Sequence, residues 1–121
     1  MSASFSDLYS KLSKSVFQDQ ARQQLDQGSD ALTRADTYAE LGKPDFVLAF
    51  LLLAEVSDEV KRTIFARSYE RRAEISEARA AEFDRRFHRS FPLIKLEAQR
   101  DRAIARQVYQ GQRLDTPPST R

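Results

Sequence analysis

The most regular hydrophobic pattern in the chain lies in residues 60–87, where small and aromatic residues recur every three or four positions. Residues at this spacing share one face of an α-helix, so the pattern predicts a long helix, at about 58–88, with a narrow apolar seam. The seam consists of Ala66, Tyr69, Ala73, Ser76, Ala80, Phe83 and Phe87, and most residues between them are charged. Because small side chains allow a close approach of backbones, a second helix is expected to cover the seam.

A short apolar segment comes directly before this helix. Gly42 and Pro44 predict the end of one helix and the first turn of the next. Residues 45–56 are apolar on nearly all sides, and a helix of that kind has to be surrounded. We therefore expect it to be the centre of the fold or part of an oligomer interface.

The first third of the chain also has a helical period. Apolar residues recur at helical spacing from Phe5 to Leu25, and Gly28 is a plausible stop. The same period continues through Leu32, Ala35 and Ala39, so residues 4–41 can form either one helix or two.

The last helix is predicted from Pro92 to about Gln110, with Gly111 as its end. Its apolar stripe runs through Leu93, Leu96, Ile104 and Val108. Few Gly and Pro residues, many good helix formers and no alternating strand pattern predict an all-α fold. We expect the chain to form a helical bundle of four to five helices. Residues 1–111 are expected to be a single domain and residues 112–121 a flexible C-terminal tail.

The composition argues against most catalytic chemistry. The chain has no cysteine and three glycines, and it lacks a Gly-rich phosphate loop and a nucleophile elbow. We therefore expect no enzymatic activity, no cofactor and no small-molecule substrate. The longest apolar run is too short to cross a bilayer, and no signal peptide is evident, so a cytoplasmic protein that does not bind membranes is expected.

A metal site is not expected either. His88 is the only histidine, and its position at a helix end among arginines fits a favourable interaction with the helix dipole. Glu70, Glu74 and Glu77 alternate with arginines on the long helix, as on a solvent-exposed face.

The charge is unevenly distributed. Residues 29–57 carry five acidic and two basic side chains, whereas residues 92–121 carry three acidic and six basic ones. The arginine-rich C-terminal half makes nucleic-acid binding the alternative function, because clustered cations neutralise phosphates. The residues that would make these contacts are Arg85, Arg86, Arg89, Lys95, Arg102 and Arg106.

Two stretches carry a resemblance to known helical domains. Residues 35–42 followed by 46–49 are close to a Gly-x-Tyr-x-x-Ala turn, and residues 66–74 resemble a Tyr-Leu-x-Arg-Ala-Glu helix, with Glu70 in place of the leucine. Residues 30–80 thereby resemble the microtubule-interacting-and-trafficking (MIT) family of three-helix domains and a single tetratricopeptide (TPR) hairpin. The resemblance implies a groove that accepts a partner helix, with a floor formed by Ala66, Tyr69, Ala73 and Ser76.

These observations predict a non-enzymatic protein–protein interaction module, such as an adaptor, a regulator or a homo-oligomeric scaffold built like a coiled coil. The expected partner is another protein or a second copy of the chain, as in a homodimer. The predicted partner-binding residues are Ala66, Tyr69, Ala73, Ser76, Ala80 and Phe83. The seam could also be filled by the chain's own first or last helix, and the sequence leaves both occupants open.

Overall fold

A computed structural model describes residues 3–121, and it is all-α throughout that range. The α-helices are α1 (Phe5–Tyr9), α2 (Ser15–Asp26), α3 (Ala31–Glu40), α4 (Pro44–Leu51), α5 (Asp58–Phe87) and α6 (Pro92–Tyr109), and Ser10–Leu12 forms a 3₁₀-helix. The predicted fold class is confirmed. The predicted number of four to five helices is too low, since the described residues contain six α-helices.

The extra helix comes from residues 4–41, which form three α-helices instead of one or two. Ser4 caps α1 in a capping box, in which its hydroxyl accepts from the Asp7 N–H at 3.1 Å and the Asp7 carboxylate accepts from the Ser4 N–H. The backbone becomes extended at Ser13, with ψ 123°, and Gly28 separates α2 from α3 at φ +93°. The hydrophobic period did not reveal the first break, because a change of backbone direction leaves the spacing of apolar residues unchanged.

Helix α4 is the centre of the core, as predicted. Residues 47–51 are all buried, and α4 is surrounded by α2, α3 and α5. The Tyr38 ring of α3 stacks on Phe46 and Phe50 of α4, with centroid distances of 4.7 Å and 5.6 Å. The apolar surface that could have been an oligomer interface is therefore covered within the chain.

Helix α5 confirms the prediction of one long charged helix. Ser57 caps it by accepting from the Val60 N–H, and its 30 residues extend over about 45 Å. Phe65, Ala66 and Tyr69 belong to the core cluster, and no described residue of α5 after Tyr69 does. The second half of α5 instead pairs with α6 in an antiparallel hairpin.

The predicted stripe of α6 is confirmed at Val108, which is buried, and at Ile104, which packs against the core, but it is wrong at the beginning of the helix. The buried residues of α6 are Ala98, Asp101, Ala105 and Val108. Leu93 and Leu96, which were predicted to lie on the buried stripe, are exposed. Burial on α6 follows the small residues that fit against the seam of α5, and the bulkier leucines lie outside that contact.

Candidate functional site

The predicted partner-binding seam of α5 is largely covered within the chain. Ala66, Tyr69, Ala73 and Ala80 are buried, whereas Ser76 and Phe83 are only partly exposed. Of the occupants that the sequence left open, the chain's own last helix covers the distal part of the seam. A foreign helix therefore has no access to the four buried residues while α6 is in place.

Charged side chains pair across α5 and α6. Three ion pairs join the two helices, namely Arg72 with Asp101, Glu77 with Arg102, and Asp84 with Lys95. In an antiparallel pair, the contacts Glu77–Arg102 and Asp84–Lys95 bring Ala80 about level with Ala98 and Ala73 about level with Ala105, and all four alanines are buried. The seam is thus a line of alanines on each helix.

We expect Ala73→Leu to lower the free energy of unfolding by about 1–3 kcal/mol, because added carbon atoms have no room between two close helices. The matched control is Ala81→Leu, at an exposed position of the same helix, where the effect should stay within about 0.5 kcal/mol. Urea denaturation of both variants measures the difference. Equal effects at the two positions would contradict close packing along the seam.

A buried ion pair crosses the hairpin next to the core. The Arg72 guanidinium donates from Nε to Asp101 Oδ2 at 3.1 Å and from Nη2 to Oδ1 at 3.0 Å, and the two side chains are 8% and 2% exposed. Arg72 also lies 5.4 Å from the centroid of the Tyr69 ring. Burial raises the pKa of the Tyr69 hydroxyl well above its usual range, so it stays protonated and neutral. Sequence reasoning missed this pair, because Arg72 and Asp101 look like the other charged residues of two charged helices.

The far end of the hairpin carries a cluster of aromatic rings. We call residues 83–96 the hairpin end. Centroids of the Phe83, Phe87 and Phe91 rings lie 5.2–6.3 Å apart, within the range of favourable edge-to-face and tilted contacts. His88 ends α5 in the left-handed conformation, with φ 52°, and thereby turns the chain towards Phe91.

Large apolar side chains of the hairpin end are open to solvent. Phe87, Leu93 and Leu96 are 52%, 74% and 51% exposed. Burial of each of these apolar side chains would be favourable in free energy. Isolated exposed apolar residues are ordinary, but these three lie within ten positions of the chain, at the end of one hairpin. Of these three residues, Phe87 is also the last residue of the predicted seam, whereas Leu93 and Leu96 lie on α6 outside the contact with α5.

The basic residues of the alternative function do not form one continuous track. Arg85 is paired with Glu82, Lys95 with Asp84, and Arg102 with Glu77. Within residues 3–121, Arg86, Arg89 and Arg106 take part in no ion pair. Arg89 precedes α6 and Arg106 lies in its last turn, so about 20 Å of helix separates these two cations.

In the part of the chain that the structure describes, no group of three or more His, Cys, Asp or Glu side chains is arranged to hold a metal ion. None of the helices in residues 3–121 combines the length and the hydropathy that crossing a bilayer requires. Comparison with protein-family models, with curated proteins and with solved structures found no match for this chain.

Proposed function

We propose that this chain is a non-enzymatic protein-binding module and that the hairpin end is its binding surface. The observation that carries the proposal is the exposure of Phe87, Leu93 and Leu96 at the end of a hairpin that extends beyond the core. Burying such side chains against a partner contributes about 25 cal/mol of favourable free energy for each Å² of apolar area removed from water. Aromatic anchors in the centre of an interface commonly supply most of the binding energy.

The charge around this surface indicates the kind of partner. Arg86 and Arg89 are exposed near the apolar residues and take part in no ion pair within residues 3–121, so acidic groups on the partner would be attracted to the rim of this surface. We therefore propose an amphipathic helix of another protein, with acidic flanks, as the ligand. An adaptor or a regulator in the cytoplasm would work in this way, and neither a cofactor nor a substrate takes part.

The resemblance to MIT and TPR domains remains a prediction. It places the partner helix beside Tyr69, where α6 and the core already cover the helix. We therefore propose that the partner helix binds at the hairpin end and not beside Tyr69. A second copy of the chain is the other partner that the sequence left open, and light scattering over a range of concentrations shows whether a homodimer forms.

We expect Leu96→Asp to weaken partner binding at least tenfold, because a charge replaces an apolar contact in the interface. The matched control is Leu41→Asp, since Leu41 is 54% exposed and lies in the turn between α3 and α4, away from the hairpin end. Neither substitution should change the free energy of unfolding by more than about 0.5 kcal/mol.

Photo-crosslinking identifies the partner for that measurement. A photo-reactive residue in place of Phe87 should give a defined protein adduct that Leu96→Asp removes and Leu41→Asp retains. The same residue in place of Val16, which is equally exposed on α2, should give none. Identical adducts from both positions would contradict a binding surface at the hairpin end.

Nucleic-acid binding makes a different prediction. If the exposed cations neutralise phosphates, the affinity for a generic DNA duplex or RNA falls steeply with salt concentration. With three of the six basic residues already paired to carboxylates, we expect a shallow slope and weak binding. A steep slope that Arg86→Gln and Arg89→Gln reduce would favour the nucleic-acid function over the protein-binding one.

A further inference from the structure

Residues 112–121 were predicted to form a flexible tail, and the structure places them against α5 and α6. Gly111 ends α6 at φ +68°, and the chain then runs back across the hairpin. Within the described residues, the backbone N–H and C=O groups of 113–121 form no hydrogen bond with other backbone groups. The tail therefore has no regular secondary structure, bends at Asp115 and Thr116, and is held by side chains of the hairpin.

Three groups of the tail contact the hairpin. The Ser119 carbonyl accepts a hydrogen bond from Arg72 Nη1 at 2.8 Å. The Pro118 ring is buried, and the Arg121 guanidinium pairs with Glu97 at 2.7 Å and also with Asp101. Upstream of these contacts, Leu114 packs against the core. All of these groups lie within eight consecutive residues.

The groove that holds the tail is a site in its own right. A cavity of about 620 Å³ lies between the tail and the two helices, and Tyr69 and Ile104 supply part of its apolar wall. Arg72 donates from Nη1, the guanidinium nitrogen that does not contact Asp101, to the Ser119 carbonyl. Glu97 and Asp101 lie one helical turn apart on α6, and both carboxylates pair with the Arg121 guanidinium. The hairpin therefore contributes two carboxylates and one guanidinium to this groove, and the tail contributes the second guanidinium, that of Arg121.

We propose that this groove is a peptide-binding site for extended segments with a proline followed three residues later by an arginine, and that the tail is its intramolecular occupant. This groove is separate from the hairpin end, so a negative result at one surface does not affect the other. A peptide of another protein that carries the same groups would compete with the tail. Because the tail is tethered, its effective concentration is in the millimolar range, and a competing peptide binds well only when the tail is weakened.

Arg121→Glu is the variant that weakens the tail, because it places a third negative charge beside Glu97 and Asp101. Arg113→Glu is the matched control, since it makes the same change of charge in the same segment at an exposed residue that forms no ion pair within residues 3–121. Both are made in the full chain. The probe is a synthetic, C-terminally amidated peptide with the sequence of residues 113–121, titrated into isotope-labelled protein and followed by NMR.

The peptide should shift the NMR signals of Tyr69, Asp101 and Ile104 in the Arg121→Glu chain. Its affinity for that chain should be about tenfold or more higher than its affinity for the unchanged chain or for the Arg113→Glu control. A peptide with glutamate at the position of Arg121 should not bind. If Arg121→Glu impairs folding, Arg121→Gln tests the same step without the added charge. Equal affinities for all chains, or no binding to a folded variant at millimolar peptide, would overturn the proposal. A dimer that exchanges tails and disappears in the variant would overturn the assignment to another protein's peptide.

Discussion

Asp101→Asn should lower the free energy of unfolding by about 3–5 kcal/mol, the largest effect expected from a single substitution in this protein. The variant leaves the buried guanidinium of Arg72 without its counter-charge, at a place where that side chain is only 8% exposed. The desolvation of the cation is then no longer compensated by an opposite charge. Domains of this size have free energies of unfolding of about 5–15 kcal/mol, so this loss should clearly lower the midpoint of urea denaturation.

Two further variants separate burial from charge. Glu82→Gln removes an equivalent partner from the exposed Arg85 and should cost less than about 1 kcal/mol. Replacing the whole pair, with Arg72→Met and Asp101→Leu together, should recover much of the lost stability, because no unpaired charge remains. If Asp101→Asn and Glu82→Gln have the same small effect, the pair is not buried in solution.

Gly42→Ala should lower the free energy of unfolding by about 2–5 kcal/mol, which is the second largest effect expected. Gly42 follows α3 at φ +66°, a conformation that costs an alanine about 1–2 kcal/mol. A Cβ at this position would also lie 3.0 Å from the Cα and the backbone N of Arg72 on α5. Backbone atoms of a packed helix cannot move aside as a flexible side chain can, so overpacking adds about 1–3 kcal/mol.

Gly28→Ala is the matched control for this prediction. Gly28 also has a positive φ, at +93°, but nothing lies within 4 Å of a Cβ built there. Its substitution should therefore show the backbone cost alone. If both variants lose the same stability in urea denaturation, the close approach of the α3–α4 turn to α5 does not contribute.

Local chemistry made several elements predictable. Ser57 and the acidic residues after it mark the first turn of α5, and Gly42 with Pro44 marks the boundary between α3 and α4. These signals act through hydrogen bonds and dihedral preferences within a few residues, so they need no knowledge of the rest of the fold. The extra break at Ser13 has no such signal, and it was missed.

The candidate site was predictable only in part. The spacing of the seam correctly indicated a surface that another helix covers, but it could not say which helix. That choice depends on how α6 returns along α5, and the ion pairs that join the two helices lie between residues 11–29 positions apart. The exposure of Leu93 and Leu96 follows from the same choice, because α6 turns its alanines and not its leucines towards the seam.

The sequence by itself determined the all-α class, the long charged helix, the apolar central helix and the existence of a seam, since each depends on spacing and on residues near in the chain. Only the tertiary structure decided that α6 fills the seam, that Arg72 and Asp101 become a buried pair, and that the tail lies across them. These features join residues that are far apart in the chain, 29 positions for Arg72 and Asp101 and 47 positions for Arg72 and Ser119. Their energies depend on burial and distance, and neither quantity is contained in a local pattern.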